Sequence, residues 1–200
     1  MRARRFLGSI AGPGAFATAA FVGARREPGY RPHDEPISAL AAHGSRAASV
    51  MVPGFFALAG GTIAFARALR GSAAAPTPVP QMLTVVGLAV AGAGIARCSD
   101  PSCPARWLGD DVQLTDDLHV AISAVAFAGW AFIPLIAAAR ARNASARYRR
   151  WSAVLGATTL ATMIGGGRFQ RNPNGEWSGT AQRVTLASAF AWYALAGLSG

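Results

Sequence analysis

Ser38, Asp100 and His119 are the residue types of an ester hydrolase. In such a site the imidazole takes the hydroxyl proton, while a carboxylate fixes its tautomer and stabilises the imidazolium. Gln182 and Arg183 would add ligand-binding groups, since a guanidinium can hold a phosphate or carboxylate headgroup through two parallel hydrogen bonds. No Gly-x-Ser-x-Gly elbow surrounds Ser38, so the local chain does not by itself present a nucleophile. A metal version would use His33, His43 and His119 with Asp34, Glu35, Asp116 or Asp117. Nothing resembling His-x-x-x-His or His-Glu-x-x-His occurs, and no metal and no other cofactor is expected. Each of these residues also has a structural alternative. Thr115 or Asp116 suits a helix N-cap, Pro36 suits a first helical residue, and interfacial His and Arg reach toward lipid headgroups.

Elements that would position these side chains follow from the hydropathy pattern. The chain of 200 residues is 52% hydrophobic and 14% charged, with a mean hydropathy of +0.30, which is too apolar for an ordinary soluble domain. The charges leave six clean windows at Phe6–Ala24, Ala47–Ala66, Gly71–Ala96, Leu118–Ala139, Trp151–Gly167 and Val184–Gly200. Roughly 20 residues of helix cross about 30 Å of hydrocarbon, so each window approaches a span. No window carries the charged stripe of an amphipathic surface helix. The expectation is one all-α integral membrane domain over residues 1–200, a polytopic bundle of about six transmembrane spans at about 6–24, 47–66, 79–96, 118–139, 151–167 and 184–199. Gly and Ala within the windows suit close helix packing, and Pro13 and Pro134 are expected to kink their helices or be absorbed by neighbours. The first window also has the basic start of a signal peptide, but Gly12, Pro13 and Gly14 interrupt it and the uncharged run is long, which favours a retained helix. Cleavage would leave five spans.

Charge supplies an orientation. With both termini cytoplasmic, the inner segments hold ten arginines and no acid, and the outer segments hold the other nine arginines with all nine acids. A count of basic residues alone does not separate the two sides; the density of Arg140, Arg142, Arg147, Arg149 and Arg150 beside the fourth window does. The net charge of +10 comes from that arginine rim, so membrane lipids are the expected partner and nucleic acid is not. The chain has no Lys, which points to a GC-rich bacterium and, with the spans, to its plasma membrane. Cys98 and Cys103 bracket Ser-Asp-Pro-Ser in a loop on the outer side, where a disulfide can form; two free thiols are the alternative, and no second pair exists for zinc. Trp107, Trp130, Trp151, Trp177 and Trp192 would include interfacial belt residues.

The order of short motifs resembles a family of bacterial and archaeal membrane proteins, domain of unknown function 998. The motifs are Pro36-Ile37-Ser38-Ala39-Leu40 before the second window, Asp100-Pro101 after the third, Thr115 and His119 opening the fourth, and Gly179-x-x-Gln182-Arg183 opening the sixth. The resemblance covers nearly the whole chain and departs from the pattern at Arg97-Cys98 and Asp116-Asp117. It implies a six-span fold and no established activity. Ser38, Asp100, His119, Gln182 and Arg183 all fall at the outer ends of different windows, so a bundle could converge them on one pocket. The expected function is binding of a lipid or lipid-like ligand there. Hydrolysis of a lipid-linked substrate through Ser38, His119 and Asp100 is one alternative. Transport of a small molecule is another, although no ionisable group lies deep in a window.

Overall fold

A computed structural model describes residues 2–100, 114–170 and 177–199, with side chains described for 5–100, 114–166 and 177–199. It holds six α-helices: α1 (Arg2–Arg26), α2 (Ala48–Ala68), α3 (Val79–Ile95), α4 (Leu114–Arg140), α5 (Ala146–Gln170) and α6 (Ser178–Ser199). A short 3-10 helix, Ile37–Ala41, lies between α1 and α2, and no strand occurs among the described residues. Each charge-free window falls on one helix. Except for α3, which starts well inside its window, the helices run past the windows because backbone hydrogen bonding continues through the arginines, Asp116 and Asp117, and Gln182 and Arg183. Among the described residues, 5–26, 48–68 and 114–140 are long and apolar enough to cross a membrane, and 79–95 is apolar but shorter. α5 and α6 dilute their apolar runs with Thr159, Thr162, Thr185 and Ser188. The threonines turn their hydroxyls back onto their own helices, as in Thr159 to the Leu155 carbonyl at 2.8 Å and Thr185 to that of Ala181 at 2.9 Å, which satisfies the hydroxyls locally.

Each helix packs on the next, and α6 returns to α1, closing a ring in sequence order. Pro13, Pro53 and Pro134 all sit inside uninterrupted helices. On α2, Met51, Phe55, Leu58, Thr62 and Phe65 recur at helical spacing and face inward, while Phe56 on the other side is 45% exposed. α1 and α2 cross where a Cβ on Gly61 would come to 2.6 Å from the Cα of Gly12. Two backbones this close replace side-chain contacts with direct dispersion between helices.

Two ends can be distinguished. The near end holds the start of α1 and the α2–α3 and α4–α5 connections. The far end holds the α1–α2 connection with its 3-10 helix, the end of α3 and the starts of α4 and α6. Toward the near end the ring interior is filled by aromatic side chains. Phe65 and Tyr193 have centroids 5.2 Å apart, Trp192 and Tyr193 6.0 Å. Trp130 Nε1–H donates to the Tyr193 hydroxyl at 3.1 Å, Tyr193 donates to Thr62 Oγ1 at 3.4 Å, and Trp192 Nε1–H donates to Ser152 Oγ at 3.0 Å. Trp130 and Trp192 are therefore core residues and not members of an interfacial belt, because each indole N–H has an internal acceptor. Trp151 and Trp177 are about half exposed, and Trp107 lies outside the described residues.

Candidate functional site

At the far end the segment from Glu27 to Ala47 folds over the mouth of the ring and is tied to α6 by hydrogen bonds across some 150 residues of sequence. Arg183 donates from one terminal nitrogen to the carbonyls of Pro32, Glu35 (3.1 Å) and Gly179 (2.9 Å), and from the other to the Tyr30 hydroxyl at 2.7 Å. The amide groups that open α6 find acceptors in the same segment: Gly179 N–H donates to the Asp34 carbonyl at 3.2 Å, and Thr180 N–H to that of His33 at 2.9 Å. Ser178 also donates its hydroxyl to the Asp34 carbonyl. A helix start is thus capped by a loop distant in sequence. Gly179 is required here, because a Cβ would meet the carbonyl oxygens of Glu35 and Pro32 and lie 2.8 Å from Arg183.

The same segment is tied down at its other end. Glu27 Oε2 accepts from Ser45 Oγ at 2.7 Å and from Ala47 N–H at 3.2 Å, at the start of α2. The Ser45 hydroxyl holds the Glu27 carboxyl below its ordinary range, with the Ala47 and Arg46 amides adding to it against a smaller desolvation effect. Burial pushes the Tyr30 phenol up, opposed by the adjacent Arg183 charge. His43 N–H donates to the Cys98 carbonyl at 2.9 Å, and Arg97 contacts His43 Nδ1 at 3.1 Å. Asp116 takes both the amide and the hydroxyl of Ser99, each at 2.6 Å. It therefore fastens the end of α3 to α4, where the sequence suggested an N-cap; α4 already begins at Leu114.

Beneath this cover lies a chamber of about 930 Å³, with walls drawn from all six helices and from the 3-10 helix. Ser38, His119 and Gln182 line it together. Ile37 N–H donates to Gln182 Oε1 at 2.6 Å, which fixes the amide orientation and leaves the NH₂ group as the free donor. His119 is 3% exposed. Its Nδ1–H donates to the carbonyls of Ala96 at 2.7 Å and Ala93 at 3.2 Å; both partners are acceptors only, so Nε2 carries the lone pair of the neutral ring. No hydrogen bond engages His119 Nε2, Gln182 Nε2 or Ser38 Oγ among the described residues, and no enclosed side-chain polar atom there lacks a partner. All three atoms consequently reach open space. Asp117, Ser123, Thr162, Ser178 and Thr185 add polar groups to the lining, and most of the remainder is apolar, with Phe16, Phe55, Leu58 and Trp130 toward the aromatic floor. It extends to Ala121, Ala124 and Ile164, which are exposed on α4 and α5, so the chamber opens sideways between those helices.

Two other residues singled out from sequence are placed elsewhere. Asp100 and Arg183 do not line the chamber; the carbonyls of Ala93 and Ala96 occupy the position on His119 that a triad carboxylate would take, and Arg183 is spent on the loop. Cys98 is disulfide-bonded and buried, while Cys103 lies outside the described residues. His33 meets Trp177 edge to face, with ring centroids 4.0 Å apart and planes inclined by 62°, and among the described residues no three His, Cys, Asp or Glu side chains cluster to hold an ion. Thr162, Ser178 and Thr185 also line the chamber; the only sequence signal of Thr162 and Thr185 was a hydroxyl residue interrupting an apolar run, and Ser178 had none.

No curated protein and no solved structure matches this chain. The family described as protein of unknown function (DUF998) matches residues 10–199, nearly the whole length, and the chain belongs to that family.

Proposed function

We propose that this protein is a six-span integral membrane protein, with both termini cytoplasmic, that binds a lipid or lipid-like amphiphile in the far-end chamber. The observation that carries the reading is the pairing, in one cavity, of a largely apolar wall with unengaged polar atoms on Ser38, His119 and Gln182. A ligand tail fits against Phe16, Phe55 and Trp130 and enters between α4 and α5. Its polar end meets one donor at Gln182, one acceptor at His119 and a hydroxyl at Ser38 that does both. A hydroxyl-bearing headgroup complements that set, since it donates and accepts at once. The orientation is supported by the density of Arg140, Arg142, Arg147, Arg149 and Arg150 at the near end and by the disulfide bond of Cys98 at the far end, which suits an oxidising compartment. We assign Cys103 as its partner and the plasma membrane of a GC-rich bacterium as its location.

Hydrolysis is the second reading, favoured by one observation: Ser38 and His119 share the chamber, and the tautomer of His119 turns its basic nitrogen toward it. Transport has less support, because the Trp130–Tyr193–Thr62 chain and Phe65 close the chamber floor.

Native mass spectrometry of protein released from its own membranes tests the binding. The wild type should retain an amphiphile, and Ala126→Phe, which fills the chamber from α4, should lose it while remaining folded. Equal retention by both proteins would sink the proposal. A serine-directed fluorophosphonate that labels the wild type but not Ser38→Ala would select the hydrolytic reading.

A further inference from the structure

A second cavity, of about 720 Å³, lies at the near end between the α2–α3 and α4–α5 connections. Arg70, Arg140 and Arg142 line it, with Ser72, Thr77 and Gln81 as neutral polar neighbours. Its walls are held by specific bonds. Tyr148, 1% exposed at the start of α5, donates its hydroxyl to the Ala74 carbonyl at 2.7 Å and so fastens the α2–α3 connection. Ser72 Oγ accepts from Ala74 N–H at 3.2 Å, and Arg149 donates to the Arg142 carbonyl at 3.1 Å across the α4–α5 connection. None of the three lining guanidinium groups has a carboxylate partner among the described residues. The sequence offers none nearby, because no Asp or Glu occurs in residues 36–99 or 118–175.

Three like charges gathered on one concavity repel one another, and a bound anion converts that repulsion into charge-assisted hydrogen bonds. Guanidinium forks match the oxygen spacing of a phosphate group, and Ser72, Thr77 and Gln81 can donate to its remaining oxygens. We propose that the near-end cavity binds a phosphate group, carried by an anionic lipid headgroup or by a soluble phosphorylated compound. The site is independent of the far-end chamber and stands whether or not that chamber holds lipid.

The test measures the thermal unfolding midpoint of detergent-solubilised full-length protein at low ionic strength, against phosphatidate and, separately, pyrophosphate. At least one probe should raise the midpoint. A response to phosphatidate alone assigns a headgroup, to pyrophosphate alone a soluble ligand, and to both the phosphate group itself. Arg140→Gln/Arg142→Gln should weaken the response about tenfold. Arg147→Gln/Arg150→Gln, which removes the same charge outside the cavity lining, should leave it within about twofold. If the first double variant does not fold, Arg70→Gln replaces it with the same expectation. Equal loss in both double variants, or no response of the wild type to either probe, overturns the proposal.

Discussion

Gln182 Oε1 accepts the backbone N–H of Ile37 at 2.6 Å, so a side chain near the start of α6 sets the first residue of the 3-10 helix that carries Ser38. One amide thereby positions the Ser38 hydroxyl and directs its own NH₂ group into the chamber. Gln182→Ala leaves the Ile37 N–H unpaired under the far-end cover, at a cost of about 1–3 kcal/mol. Thermal unfolding in detergent should show the loss, and Gln182→Glu, which keeps an acceptor, should recover part of it.

Gly179→Ala drives a methyl group into the carbonyls of Pro32 and Glu35, which are backbone and cannot rotate away. The Glu27–Ala47 segment must lift or α6 must shift, and overpacking of this kind costs about 1–3 kcal/mol. Hydrogen exchange should rise at the amides of Gly179 and Thr180, whose acceptors lie in that segment, before it rises in α2. Unchanged exchange at those two amides would contradict the clamp.

Gly61→Val should part α1 from α2, since the clash is with the Cα of Gly12 and no side chain can yield. A loss of about 1–3 kcal/mol is expected. Gly60→Val, one residue away where a Cβ meets nothing within 4 Å, should be nearly silent in the same unfolding assay.

Acid should weaken the far-end cover through Glu27. Its folded carboxyl titrates below its ordinary value because Ser45 hydrogen-bonds the charged form. The unfolded carboxyl titrates near about 4.3, so the stabilisation is present above that pH and disappears as pH falls through the lower folded value. Glu27→Gln should flatten the acid limb of the stability profile, and a profile unchanged by the substitution would refute the linkage.

Tyr193→Phe removes the acceptor of Trp130 Nε1–H and the donor to Thr62, in the buried floor of the chamber. An orphaned indole N–H costs about 1–3 kcal/mol. The near-ultraviolet circular dichroism of the variant should change with the lowered unfolding midpoint, because the aromatic packing around Phe65 and Trp192 loses its polar link.

Most of the helical architecture was legible along the chain. Six runs without charge predicted six helices because the requirement is local: an apolar stretch must satisfy its own backbone, and a helix does so within the stretch. The arginine-rich near end and the acid-bearing far end were legible for the same reason, since each charge sits beside the run it terminates. Pro13 and Pro134 illustrate a weaker local signal, because each lies in an unbroken helix despite its missing N–H.

Which polar groups meet was decided by the tertiary structure. Ser38, His119 and Gln182 come together because the ring closes α6 on α1 and lays the 3-10 helix over its mouth. Arg183, adjacent to Gln182 in sequence, points its donors at Pro32, Glu35 and Tyr30 instead, since neighbouring positions on a helix are turned about 100° apart. Asp116 met Ser99, and the partners of His119 proved to be carbonyls exposed at the end of α3. A hydrogen bond depends on atoms reaching about 3 Å in a fixed direction, and no pattern of residue types encodes that distance across 145 positions of chain.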